Sequence, residues 1–568
     1  MRPVKFPSHL PTNARPGEVP VIARRLIVFA LLLAIAEPAA ARQGASDHGS
    51  VVIVVGQEPS TPVPTLLGAK ADNDVADLLF LRLAHPPASR VTTDERNFVP
   101  ELARSWTRRD PLTLVFELDP RARWHDGVPV TSRDVVFSFA RVRAPDVDPD
   151  RALLLRHLAS VTAEGDHRVV LHFRRAYPEQ FYDATFQVQL LPAHLLDTIP
   201  PGRLAGSAFV QHPIGNGPYR WVRREPGRRL ELAADPNFFL GAPKLDRVVF
   251  LLARDPEAMI NLLLDGTADL FEAVPPVSGP PRLAANPAIR LVTAPSLDVV
   301  YLLFNLRAYG DRKQPHPILA DREVRRALVM AIDRAPIIKS TYGAYGAPVD
   351  APVPLAQWTS RVVPKGPAYN PSGARALLAR RGWTDHDGDG VLDRNGTPLS
   401  LRLNVTTTSA NRLTMAPQIQ AQLRKIGVRL EIVRLDGPVW FQRRQTGQFD
   451  LDFSSANLDP TPSGVMQSWS CAGRGGSNVG QYCDPAVDSL FDRAISSPRS
   501  GEREWRAAYA ALEADAPAVF LASPMTLFAV HSRFRNVTLP PESLYRELWR
   551  WSVDPARRIA RDGPAAPP

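Results

Sequence analysis

Asp385, Asp387, Asp389 and Asp393 recur around Gly390 with the spacing that begins a calcium loop. In such a loop the backbone curls and brings alternate carboxylates to one centre. The twelfth position should be a bidentate glutamate, and here it is Gly396. The stretch therefore reads as a polar Asp/Gly turn with His386 facing solvent, and no metal ligand is assigned. Cys471 and Cys483 are the chain's two cysteines, with no histidine between them to make up a metal set. In an exported protein such a pair reads as a disulfide, worth roughly 3 kcal/mol for so short a loop. There is no G-x-S-x-G elbow, no phosphate-binding P-loop, no H-E-x-x-H and no S-x-x-K with partners. The 12 histidines are scattered, and no carboxylate pair is marked as acid and base by its spacing. No catalytic residue and no cofactor is assigned, which leaves an enzyme without a positive case.

The elements that would position any chemistry alternate between strand and helix, which argues an α/β fold. Val51–Val55, Leu112–Leu118, Val169–Phe173, Val248–Leu252, Arg429–Val433 and Leu451–Phe453 read as strands, and Val299–Phe304 as one buried on both faces. Val519–Ala522 and Leu527–Val530 read as two more. Helices are expected over Asp72–Leu83, Ser132–Arg141, Pro256–Leu264, Ala374–Arg381, Met415–Ile426 and Ala507–Ala514. Thr131 and Asp134 mark a helix start, with Val130 and Val135 as a hydrophobic staple. The clearest helix is Arg322–Arg334, where Val324, Ala327, Leu328, Ala331 and Ile332 form one apolar stripe. His125-Asp126-Gly127 is a turn, so His125 and Asp126 are read as structural. The Arg-, Ala- and Pro-rich tail after Pro555 is expected to fray.

The 568 residues are 44% hydrophobic and 22% charged, as in soluble globular proteins, with chain enough for more than one core. The net charge is +10, but the cations are dispersed and mostly arginine. This reads as a solvated surface, not a nucleic-acid groove. Arg24-Arg25 precede an apolar run, Leu26–Ala36, and Ala39-x-Ala41 follows it. The run is too short for a membrane span, which takes about 20 residues, and suits a signal peptide over 1–41. The protein is expected to be exported and soluble, hence periplasmic.

Several segments occur in an order that resembles one family. Leu102-Ala103-Arg104-Ser105-Trp106 is followed by Arg123-Trp124-His125-Asp126-Gly127 and Asp134-Val135-Val136-Phe137-Ser138. Gly215-Asn216-Gly217-Pro218-Tyr219, Asp235-Pro236-Asn237-Phe238-Phe239, Leu263-x-x-Gly266-x-x-Asp269 and Phe304-Asn305 come next. Val324-Arg325-Arg326-Ala327-Leu328 with Ala331-Ile332-Asp333-Arg334, Ile426-Gly427-Val428 and Gly447-x-Phe449-Asp450-Leu451 complete the series. The set resembles the extracellular solute-binding proteins of family 5, the dipeptide, oligopeptide and nickel binding subunits of ABC importers.

The resemblance implies a two-lobed periplasmic-binding-protein fold (type II, cluster C) with an extra subdomain in lobe 1. Lobe 1 would take 42–82, 206–293 and the return at 525–568, the extra subdomain 83–205, and lobe 2 294–524. Crossings are placed near Ala294–Val299 and Ala522–Leu527. The implied function is capture of a peptide or peptide-sized organic solute between the lobes and delivery to the membrane subunits of an ABC permease, by a monomer that binds no nucleic acid. An exported hydrolase or a ligand-sensing receptor on the same scaffold is the alternative. Ligand contacts are implied at Asp72 and Asn73, at Tyr301 and Asn305, at Ser454, Ser455, Asn457 and Asp459, and at Trp469. Peptide-binding relatives place an aspartate four residues before the proline of the last segment, against the peptide's α-amine. Here Pro460 puts Ala456 at that position. Either Asp459 serves instead, or the ligand is not held by a free amino terminus. The Cys471–Cys483 loop resembles a disulfide loop of dipeptide-binding relatives.

Overall fold

The unbroken β-branched run at Val51–Val55 can only be buried on both faces, and strand Ser50–Val55 lies parallel between Arg247–Leu252 and Leu270–Phe271. The computed structural model describes residues 49–563 except 69, 88–91, 145–146 and 498–500; the signal-peptide reading lies outside them. Arg229–Ala234 and Tyr219–Glu225 extend this half of the sheet on one side. The other half runs Asp298–Phe304, Leu451–Asn457, Ser400–Thr406 and Arg429–Leu435. The two halves are the sheets of two lobes.

One strand, Ala518–His531, belongs to both. Its first part pairs with Asp298–Phe304 and its second part with Ile289–Pro295 and Leu270–Phe271. The sequence splits it into Val519–Ala522 and Leu527–Val530 because Ser523-Pro524-Met525 interrupts the apolar run. The chain nevertheless stays extended there: Gly346–Pro348 pairs alongside it, and Met525 N–H donates to Tyr345 O at 2.7 Å. Pairing switches from one lobe to the other at this point and at Ser296-Leu297.

Ala103–Asp110, Thr113–Leu118, Arg168–Phe173 and Leu158–Ala163 form a separate antiparallel sheet in that order. Helix Ser132–Val142 packs on it, opened by Thr131, whose N–H donates to Asp134 Oδ2 at 2.8 Å. This small unit is seated on the first lobe by His125. Gly215 N–H donates to His125 Nδ1 at 3.2 Å, and Nε2 faces Gly217 O at 3.0 Å, so the ring is the neutral Nε2–H tautomer. Burial pushes its pKa down to about 4, which fits that assignment. The same loop closes the end of helix Lys70–Leu79, because Asn216 and Gly217 N–H both donate to Leu79 O. A Cβ at Gly215 would lie 2.0 Å from Leu79 O, and one at Gly217 2.4 Å from Leu78 O. Gly215→Ala is therefore expected to cost about 3 kcal/mol, read as a lowered urea midpoint.

Two expectations need correction. The helix at Arg322 ends at Met330, not Arg334, because Asp333 caps a second helix, Arg334–Tyr342, by accepting Ala335 N–H. The tail does not fray at Pro555. It stays ordered to Gly563, and Asp562, 6% exposed, accepts from Ser50 N–H and pairs with Arg533.

Candidate ligand-binding cleft

Strand Asp298–Phe304 is apolar after its first residue, and that residue is a carboxylate at the rim of the second lobe's sheet. Asp298 stands in register with Asn457, whose amide donates to Asp298 Oδ1 at 3.1 Å. Two residues back on the same strand face, Ser455 Oγ accepts from Arg412 Nη2 at 2.8 Å. Ser455 and Asn457 are alternate strand residues, about 7 Å apart on one face, so both charged groups are held on the same side of the sheet. Arg412 occupies the first turn of helix Ala410–Arg424, where the helix dipole disfavours a cation. Its guanidinium stacks 5.0 Å from the Trp440 ring. Trp440 is fixed in turn, donating Nε1–H to Asp452 at 2.7 Å.

Neither Asp298 nor Arg412 makes an ion pair among the described residues. Burial pushes the Asp298 carboxyl up, pulls the Arg412 guanidinium down and pushes the neighbouring Tyr342 up to about 12. Ser455 and Asn457 are exposed, so the recess is both crowded and open to water. The first lobe faces it with Lys70, whose charge is felt at Asp298. Lys70 Nζ lies 2.6 Å from Asp74 and 3.3 Å from Glu272. Burial alone would lower the Lys70 pKa, but Asp74 and Glu272 outweigh it and hold the ammonium above the ordinary lysine range. Tyr545 steadies Glu272 with a 2.7 Å hydrogen bond. The arrangement offers a carboxylate and a guanidinium on one wall and a lysine held between two carboxylates on the other. It can hold a zwitterion, and its described side chains present no nucleophile with a base.

A family model, bacterial extracellular solute-binding proteins, family 5, matches residues 97–477. The chain belongs to this family. Family 5 relatives include the oligopeptide-binding protein AppA of Bacillus subtilis, 26% identical over 85% of this chain and 87% of its own. A putative ABC transporter peptide-binding protein of Brucella ovis is 29% identical over 72% of this chain and 75% of its own. The solved structure of B. subtilis AppA with a nonapeptide matches with a TM-score of 0.79 and 25% identity, covering 89% of this chain and 99% of that one. NikZ of Campylobacter jejuni, solved with Ni(L-His), matches in fold with a TM-score of 0.76 at 23% identity, again over 89% and 99%. The mixed α/β, two-lobed architecture expected of a family 5 protein is thus the one observed. The relatives are binding proteins, and no described helix is long and apolar enough to cross a membrane.

The residues singled out from the sequence fall into three groups. Ser455 and Asn457 line the recess. Tyr301 lies on the opposite face of strand Asp298–Phe304, packed against Trp469 of helix Val465–Trp469 with ring centroids 5.4 Å apart and Phe520 beside them. Ser454 lies beside them and donates to Asp452. The others are engaged elsewhere. Asp72 is 1% exposed and accepts Ser60 and Thr61 N–H at 2.7 and 2.8 Å, fixing the loop before its helix. Asn73 is half-buried in the same turn. Asn305 donates to Gly447 O and Phe449 O and accepts Arg307 N–H. Asp459 accepts from Gln187 Nε2 at 2.9 Å and from Thr461 N–H, facing the extra subdomain and not the recess. Ala456 pairs with Val299. Asp298, Arg412, Tyr342 and Lys70 were not singled out. The signals available were an acid opening an apolar strand and an arginine in a helix's first turn.

The Asp385–Asp389 carboxylates gather within 4.8 Å of one another, but Asp385 accepts Gly388 and Gly390 N–H and Asp389 pairs with Arg429 at 2.8 Å. The Cys471–Cys483 disulfide is formed. Its loop carries Asn478, 2% exposed, which donates to Ser470 O and Tyr482 O, and Ser477, which binds Asp150 of the extra subdomain. Replacing both cysteines by serine is expected to lower stability by about 3 kcal/mol, and reductant should lower the melting temperature of the native protein alike.

Proposed function

We propose that the protein is the exported, solute-capturing component of an ABC importer, and that it takes a peptide or peptide-sized organic solute between its lobes and hands it to a membrane permease. The observation that carries this is the Asp298–Arg412 pair. These are two half-buried, opposite charges without ion-pair partners among the described residues, held on one face of the second lobe's rim by Asn457 and Ser455. A short zwitterion with an ammonium and a carboxylate would supply the missing partner to each. Asp298 would then do the work that Ala456 cannot, from the neighbouring strand. Family membership and the peptide-binding relatives support the solute class. Lobe 1 would comprise 42–82, 206–293 and 525–568, with the subdomain 83–205 attached. Lobe 2 would comprise 294–524, and the chain would bend at Ser296-Leu297 and Ser523-Pro524. Ligand contacts to both lobes exist only when they are together, so binding shifts the population to the closed form. The permease partner, the periplasmic location and the monomeric state belong to this reading.

Native mass spectrometry of the protein purified from exporting cells tests it. A retained mass of a few hundred daltons is expected. A bare protein mass, with no thermal shift on adding pools of di- to pentapeptides and amino-acid metal chelates, would overturn it.

A further inference from the structure

Away from the recess, the extra subdomain meets the second lobe through a group of acids. Glu179 and Asp183, 5% and 2% exposed, come from the subdomain around helix Gln180–Thr185. Asp459 comes from the second lobe, just after strand Leu451–Asn457. Gln187 of the subdomain bridges to Asp459 Oδ2 at 2.9 Å. Tyr177 donates to Asp183 Oδ2 at 2.6 Å, and Thr92 donates to Glu179 Oε1 at 3.2 Å. The buried Tyr182 hydroxyl faces Asp459 across the seam, and Gln187 lies against Asp183. Ser463 faces Glu179 from the second lobe, and Tyr509 lies close enough to feel its charge. Cations stand further off. Arg156 is paired with Asp492 at 3.0 Å, Arg82 with Asp77, and His157 packs on the far side of Tyr177 with its pKa pushed down to about 4 by burial. No ion pair reaches Glu179, Asp183 or Asp459 among the described residues. Two buried carboxylates and the half-buried Asp459, with no ion pair among them, repel one another, and the buried two resist desolvation.

We propose that closing of the two lobes takes up protons at Glu179 and Asp183, so that this seam favours the closed form in acid and loosens it in alkali. The proposal rests on the two-lobe capture reading. The seam exists only when subdomain and second lobe meet; apart, the two acids lose the neighbouring Asp459 and the burial the second lobe adds, so their pKa values fall toward the ordinary carboxylate range near 4. Together, burial first, then the neighbouring acids, pushes Glu179 to about 8; burial, then Asp459, pushes Asp183 to about 8. Below about pH 4 both forms are protonated and the seam costs nothing. Between about 4 and 8 the open form has lost its protons and the closed form keeps them, so closing becomes less favourable as pH rises. Above about 8 the penalty is complete. Glu179 borders a small cavity lined by Thr93, Trp358 and Trp505, which gives the proton a way out.

The test uses the full chain carrying fluorophores at Val222→Cys and Phe441→Cys, exposed positions in the first and second lobe. Energy transfer in the solute-free protein reads the closed-to-open ratio from pH 5 to 8. The ratio should fall with rising pH, about tenfold per unit for each proton taken up. Glu179→Gln with Asp183→Asn, which imitates the protonated seam, should flatten the slope and keep the closed form at pH 8. Two distances whose populations ignore pH, or a slope unchanged in the double variant, would overturn the proposal and leave lobe closure standing. A single distance at every pH, in periplasmic extract as well as buffer, would remove lobe closure and the proposal with it.

Discussion

Arg533→Met is expected to lower stability by about 3–5 kcal/mol, the usual result of leaving buried charges unpaired. Arg533 has 0% exposure and lies 3.0 Å from Asp269, which has 0% exposure too. It also pairs with Asp562, donates to Ser50 O at 2.7 Å and lies 4.3 Å over the Phe534 ring. Asp269 accepts Val52 N–H at 2.9 Å, and Asp562 accepts Ser50 N–H. One guanidinium therefore joins the first strand, the Leu270 strand and the C-terminal segment. Without it, Arg561 alone remains for Asp269, and Asp562 has no cation among the described residues. Urea unfolding of the variant measures the loss. The network also sets an acid limit. Burial alone would raise the Asp562 carboxyl, but Ile559 N–H, Arg533 and Ser50 N–H hold it below the ordinary range. A depressed carboxylate stabilises fully above its unfolded value, near 4, and loses that contribution as pH falls below it.

The second large effect concerns the recess. Asp298→Asn and Arg412→Met are each expected to weaken binding of the retained solute by a hundredfold or more. Truncating one partner of a desolvated, hydrogen-bonded charge pair costs about 2–5 kcal/mol. Asn at 298 can still accept from Asn457, so the rim stays built. Both changes remove a half-buried charge that has no ion partner among the described residues, so thermal stability should hold or rise. Calorimetric titration with the solute identified by mass, beside a melting curve, separates the two effects. Equal affinity in both variants would take the zwitterion reading away.

Much of the scaffold was legible because its signals are local. The runs at Val51–Val55 and Val299–Phe304 admit no solvated face. Thr131 with Asp134 and the Asp-Gly turn at Asp126 act within four residues. The Cys471–Cys483 pair needed only an oxidising compartment. The long strand Ala518–His531 was read as two because a proline and two non-aliphatic neighbours break its pattern, while its continuity comes from partners in both lobes. The recess was only partly legible for a related reason. Ser455 and Asn457 stand on a strand whose alternation is visible. Asp298 and Arg412 lie far apart in sequence and become neighbours only through strand register and the docking of a helix end. Asn305 and Asp72 look like exposed polar residues in motifs, yet each is tied to backbone groups of another segment. Nothing local distinguishes a strut from a reader.

The most direct test of the account is a crystal structure of the protein with the solute it retains from exporting cells. The account requires the solute between the lobes, a cationic group against the Asp298 carboxylate and an anionic group against the Arg412 guanidinium. A solute bound with Asp298 and Arg412 both still unpartnered would contradict it.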